Sequence, residues 1–114
     1  MGEDGKVAKS AQTIEVQRLY SGLIRLHVLH HAGQEPIFGF GIMQELRRHG
    51  YHIGPGTIYP MLHAMEKSGL LRSTALKKDG RVQRAYRATA AGRRALTKAK
   101  EKVQELFHEL FEEE

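Results

Sequence analysis

The sequence predicts a mainly α domain with one small β-hairpin (α+β), arranged as a winged helix-turn-helix with a further helix at its C-terminal end. Three observations carry this reading: three helix-period apolar patterns each closed by a glycine, two strand-length runs around Asp79-Gly80, and a long helical pattern after Thr89. At 114 residues the chain is long enough for one core and short for an added catalytic domain.

Residues 1–12 are small and polar without an apolar period, and read as a flexible tail. Over Thr13–His31, Val16, Leu19, Tyr20, Leu23, Leu26 and Leu29 recur at three- and four-residue steps, predicting an amphipathic helix that Gly33 closes as a left-handed cap. After Gln34–Phe38, the spacing of Phe40, Ile42, Met43 and Leu46 predicts a second, shorter helix ended by Gly50. A third occupies Pro55–Gly69 with Gly69 in the capping position. Because proline fits only near a first turn, Pro60 sets that helix's start at about Gly56 or Thr57.

Leu70–Leu76 and Arg81–Thr89 then bracket Lys77-Lys78-Asp79-Gly80, and Asp-Gly favours a two-residue hairpin turn in which both residues take positive φ. Val82 and Tyr86 share one strand face and are expected to pack inward with Leu70 or Leu71. The winged unit thus spans 13–89. Residues 90–114 form the last helix, with Thr89 as N-cap and Leu96, Ala99, Val103, Leu106 and Leu110 in heptad-like steps.

Composition excludes several classes. Hydrophobic residues make up 40% and charged residues 27%, as in ordinary globular proteins, and no run approaches the roughly 20 apolar residues that span a bilayer. The first residues do not read as a secretory signal, so the expected location is the cytoplasm, with no membrane partner. The absence of cysteine removes disulfides, thiolate nucleophiles and cysteine-ligated zinc. No phosphate loop, dinucleotide fingerprint or His-Glu-x-x-His string is present, so no enzyme and no cofactor is expected. His27, His30 and His31 fall at neighbouring helical positions, yet no carboxylate or cysteine joins them locally, and the sequence assigns no metal.

The net charge of +5 is unevenly placed: Arg47–Lys100 carries +11 and the rest of the chain −6. One basic face is the electrostatic footprint of a duplex binder. On a wheel of about 100° per residue, Leu62 and Met65 fall within about 40° of Ile58, and the three form the buried stripe of the third helix. Its first turn and outward face then offer Thr57, Tyr59, Pro60, His63 and Lys67 to a major groove. The hairpin adds Lys77, Lys78, Arg81 and Arg84, each able to neutralise a phosphate. Val103, Leu106, Phe107, Leu110 and Phe111 lie beyond the winged unit, where one chain has little to bury them against, so a homodimer is expected. Two-fold symmetry would set two third helices about 34 Å apart, one turn of a pseudo-palindrome.

Particular strings carry a resemblance. Phe38-Gly39-Phe40-Gly41-Ile42, Gly56-Thr57-Ile58-Tyr59-Pro60-Met61-Leu62, Glu66-Lys67-Ser68-Gly69-Leu70-Leu71, and Arg84-Ala85-Tyr86-Arg87-Ala88-Thr89 with Gly92 and Leu96 resemble the PadR family of transcriptional regulators. The likeness runs from about Leu19 to Leu110. It implies a homodimer, usually a repressor, whose C-terminal helix packs on the partner's first helix. It thus places Leu19, Leu23, Leu96, Ala99, Val103, Leu106, Phe107 and Leu110 at the dimer interface. The single C-terminal helix fits the family's short subclass. Gly41 departs from the family pattern, which commonly has a carboxylate there. Tryptophan, which lines the drug pocket between subunits in some relatives, is absent. A small-molecule effector at the dimer interface, releasing the protein from its operator, is therefore expected without an identity. The rival reading is a winged-helix module that binds protein and no DNA.

Overall fold

The computed structural model describes residues 2–112, with side chains from Ala8 onward. Met1, Glu113 and Glu114, assigned above to the tail and the last helix, lie outside the described residues. The chain forms α1 (Gly2–Gln34), α2 (Gly39–Arg48), α3 (Pro55–Lys67), β1 (Leu71–Lys78), β2 (Arg81–Ala88) and α4 (Ala90–Phe111). The hairpin is antiparallel from Leu71↔Ala88 to Lys78↔Arg81. Its turn has Asp79 at φ 52° and Gly80 at φ 77°, the left-handed pair that the Asp-Gly dipeptide predicts.

The ends of α2 and α3 share one geometry. Gly50 (φ 88°) and Gly69 (φ 85°) follow the C-caps His49 and Ser68. Tyr51 N–H then donates to Leu46 O and Leu70 N–H to Met65 O, both at 3.0 Å, completing Schellman closures. The start of α4 is capped as expected, Thr89 Oγ1 accepting from Gly92 N–H at 3.0 Å. Thr89 also donates its hydroxyl to Gly69 O at 2.6 Å, tying the end of the hairpin to the end of α3.

Four local expectations are corrected. Helix α1 begins at Gly2 rather than Thr13. Its first turns include Glu3, Lys6, Ala8, Lys9, Ala11 and Gln12, good helix formers that need no buried face to take that conformation. Gly33 is helical and not a left-handed cap; α1 runs to Gln34 and stops because Pro36 disfavours helical backbone at Glu35. Helix α3 starts at Pro55, not at Gly56 or Thr57, so Pro60 stands in its second turn and withdraws the donor that Gly56 O would receive. Val82 is 74% exposed, although it shares a strand face with fully buried Tyr86. The distal half of the hairpin projects past the core, and alternation alone does not reveal where the core ends.

One buried cluster holds the domain together. It joins Val28 and Leu29 of α1, Ile42 and Leu46 of α2, Ile58 and Leu62 of α3, and Leu71 and Tyr86 of the hairpin. Ile37, in the connection before α2, exchanges backbone hydrogen bonds with Tyr86 at 2.8 and 2.9 Å, adding a one-residue bridge to the edge of β2. The apolar stripe of α1 has two fates. Ile24, Val28 and Leu29 are buried, while Ile14, Val16, Leu19 and Leu23 are exposed.

Two glycines in helices make opposite predictions. A Cβ on Gly92 would stand 2.1 Å from Leu70 O, against backbone that cannot yield, whereas nothing lies within 4 Å of one on Gly33. Gly92→Ala is expected to destabilise by about 1–3 kcal/mol. Gly33→Ala is expected to stabilise by about 0.5–1 kcal/mol, as for any open helical site. Denaturant midpoints at one protein concentration check both; a loss of stability in Gly33→Ala would restore the left-handed cap.

Candidate nucleic-acid interface

The buried stripe of α3 is the one the wheel gives: Ile58, Leu62 and Met65 have 0, 0 and 2% exposure. Met61 joins them at 7%. With that face fixed inward, Thr57, Tyr59, Pro60, His63 and Lys67 are all exposed. They do not form one site. Tyr59 and His63 line a cleft of about 880 Å³ whose other wall is the hairpin, contributing Lys78, Arg81 and Arg84, and whose floor is the start of α2. Thr57 opens on the opposite flank of α3, beside Tyr20 and His52. Pro60, Lys67 and Lys77 lie outside the cleft.

Two contacts set the shape of the cleft. The Tyr59 ring lies against the backbone of Gly39, the first residue of α2, so closely that a Cβ there would be 2.3 Å from Cε1. Gly39 thus has a steric reason to be glycine, and the half-exposed Tyr59 ring lines the cleft beside it. Across from it, Lys78 Nζ stands 4.7 Å from the centroid of the Phe38 ring, a cation–π contact that steadies the wing tip over the α1–α2 connection.

Within Arg47–Lys100 the acids are Glu66 and Asp79. Glu66 is spent internally. Its carboxylate accepts Ser73 N–H at 2.6 Å and the Ser73 hydroxyl at 2.8–2.9 Å, and Arg84 donates to that hydroxyl at 3.2 Å. The Ser73 hydroxyl and amide, aided by Arg84 and His63, hold the Glu66 carboxyl below its usual range against the opposing effect of burial. The last turn of α3 is thereby clamped to β1 with the carboxylate turned onto Ser73, while Asp79 lines the cleft at the wing tip. Lys67, Lys77 and Arg81 are exposed.

The sequence reading missed Phe40, Gln44 and Gln83, which also line the cleft. Phe40 and Gln44 stand one turn apart on the outward face of α2, a spacing visible in the sequence once that face is known to border the wing.

Comparison with known proteins gives a consistent picture. The family model described as "Transcriptional regulator PadR-like family" matches residues 28–98. A transcriptional regulator of Mycobacterium tuberculosis is 51% identical over 87 residues, covering 76% of this chain and 81% of that protein. Among solved structures, a PadR family transcriptional regulator from Eggerthella lenta superposes with a TM-score of 0.74 at 26% identity, covering 96% of this chain and 99% of that one. A PadR-like transcriptional regulator from Bacillus cereus gives a TM-score of 0.72 at 25% identity, covering 85% and 99%.

The clamp between α3 and the hairpin is testable. Because the folded carboxyl titrates below its unfolded value, its stabilisation is complete above the unfolded pKa of about 4.5 and is lost as pH falls through the lower folded one. Glu66→Gln should therefore speed hydrogen exchange at hairpin amides near Ser73 at neutral pH by about tenfold, matching a loss of about 1–2 kcal/mol. Exchange unchanged by the substitution would show that the hairpin is held by its core contacts alone.

Proposed function

We propose, from the premise that this chain belongs to the PadR-like family of transcriptional regulators, that it is a cytoplasmic homodimeric repressor that reads a pseudo-palindromic operator and leaves it in response to an effector. The observation that carries the DNA-facing part is the convergence of Tyr59 and His63 of α3 with Lys78, Arg81 and Arg84 of the wing on one cleft, where Asp79 is the one acid in the lining and the Glu66 carboxylate is turned onto Ser73 outside it. A helix in the major groove needs phosphate anchors beside it to fix its register, and the wing supplies them. Tyr59 has a hydroxyl for a phosphate, and His63 a ring nitrogen for a base edge. Thr57, on the other flank, is assigned a second phosphate, and Lys67 and Lys77 contribute at longer range.

The dimer rests on surface that one chain leaves bare. Leu19 is 71% exposed and Leu110 63%, and Val103, Leu106, Phe107 and Phe111 of α4 are likewise open. Contiguous apolar surface along two helices costs free energy in water and marks an interface. Leu96, expected at that interface, packs partly on its own chain's core, and Ala99 is half-buried. The proposed contact thus centres on Leu19 and Leu23 of one chain and Val103–Phe111 of its partner. An apolar-lined cleft of about 980 Å³ between α1 and α4, bordered by Leu23, Leu26, Val103 and Phe107, lies on the same side and is the proposed place for an effector.

Two experiments test the reading. In binding titrations at several stated salt concentrations, Arg81→Ala is expected to weaken all sequences alike and to reduce the salt slope by about 1, the loss of one phosphate contact. His63→Ala should instead alter preference among sequences. Uniform effects from both would remove the division of labour, and binding indifferent to Arg81→Glu would favour a protein-binding module. In sedimentation, Leu106→Glu should convert dimer to monomer and weaken operator binding by more than about 100-fold, because one half-site alone lacks the gain of tethering. A dimer that survives Leu106→Glu would place the interface elsewhere.

A further inference from the structure

Neither DNA contact nor dimerisation uses the cluster of titratable side chains at the junction of α1 and α2. His27 and His31 stand one turn apart on α1, and Glu45 of α2 stands four residues before the helix's C-cap, His49, so each element presents an i, i+4 pair. The two pairs meet. His49 Nε2 lies 3.3 Å and His31 Nε2 3.8 Å from the same Glu45 oxygen, Oε1. The His27 ring is 4.7 Å from that of His49 and stacks on that of His31 at 6.3 Å, their planes 9° apart. The carboxylate that the sequence did not supply near the histidines comes from a different helix.

This donor set suits a late first-row divalent ion. Imidazole and carboxylate are ligands for zinc, cobalt and nickel, and donors about 2.1 Å from a tetrahedral ion stand about 3.4 Å from one another. The two separations from Glu45 Oε1 already bracket that edge. An outer shell is present too: Arg48 holds the second oxygen of Glu45, and Tyr51 sets its ring edge-on to His27 at 5.6 Å. Among the described residues no three donors yet converge on one point.

We propose that His27, His31, Glu45 and His49 form a site for one divalent ion of the zinc, cobalt or nickel class, closed by rotation of the imidazoles on helices that keep their places. Such an ion would cross-link α1, which bears the bare apolar face, to α2, which packs on α3. Its use as the regulatory signal rests on the DNA-binding reading; the site itself does not.

Cobalt(II) titrated into the untagged protein, with no DNA present, tests the site. The expected result is one ion per chain, with visible absorption bands of tetrahedral cobalt that zinc(II) abolishes. His31→Gln and His49→Gln should each weaken cobalt binding at least tenfold, while His52→Ala, outside the cluster, should not. Zinc should raise the Tm of the natural chain and leave that of His49→Gln unmoved, which separates ligand loss from misfolding because each protein is its own reference. Cobalt that does not bind, that stays octahedral, or that binds His31→Gln and His49→Gln as it binds the natural chain overturns the proposal. Failure here leaves the operator reading intact, and failure to find an operator leaves this site intact.

Discussion

The carboxylate of Glu66 receives the amide and hydroxyl of Ser73 across the junction of α3 and the hairpin, and the relation between the α3 wall of the cleft and its cationic wing depends on that contact. A two-stranded hairpin has little stability of its own. This one is held near its base by Leu71, Tyr86 and Ala88 in the core, by Ile37 on Tyr86 and by Glu66 on Ser73, the partner of Tyr86, and at its tip by Lys78 over Phe38. Attachment at both ends turns a marginal element into a fixed wall. The arrangement also settles an electrostatic conflict, since a carboxylate facing a phosphate would repel it, and the Ser73 amide and hydroxyl turn the Glu66 charge inward.

Much of the fold was legible because its signals are local. Asp79-Gly80 encodes a turn through backbone sterics, Gly50 and Gly69 encode Schellman closures, and Thr89 caps α4 through a contact three residues away. None of these depends on distant parts of the chain. The misreadings share the opposite cause. Val82 continues an inward pattern, but the core ends before it; Gly33 looks like a stop, but the true stop is Pro36; residues 2–12 lack an apolar face, but a helix can form without one. Whether an alternating or periodic face is covered depends on what lies opposite, and periodicity carries no such information.

The cleft was legible in its residue types more than in its grouping. Basic side chains of the wing and polar ones of α3 could be named from charge and the wheel, yet the separation of Thr57 from Tyr59 and His63 needed the helix orientation that Gly39 and the core impose. The histidine cluster shows the same limit. His27 and His31 are a visible pair, whereas Glu45 and His49 reach them only through the packing of α2 on α1. Outside the compact part, α1 and α4 extend the molecule to a radius of gyration of 16.8 Å, against about 13 Å for a compact domain of this length.

In the proposed complex two copies of the α3–wing face read a duplex together. Selection of bound fragments from genomic DNA, followed by footprinting at stated salt, tests this. The expected result is enrichment of a pseudo-palindrome whose half-sites lie about one helical turn apart, each protected as a major-groove contact flanked by wing-protected phosphates. No enriched sequence, or protection of a single unpaired half-site by a chain that remains monomeric, would contradict it.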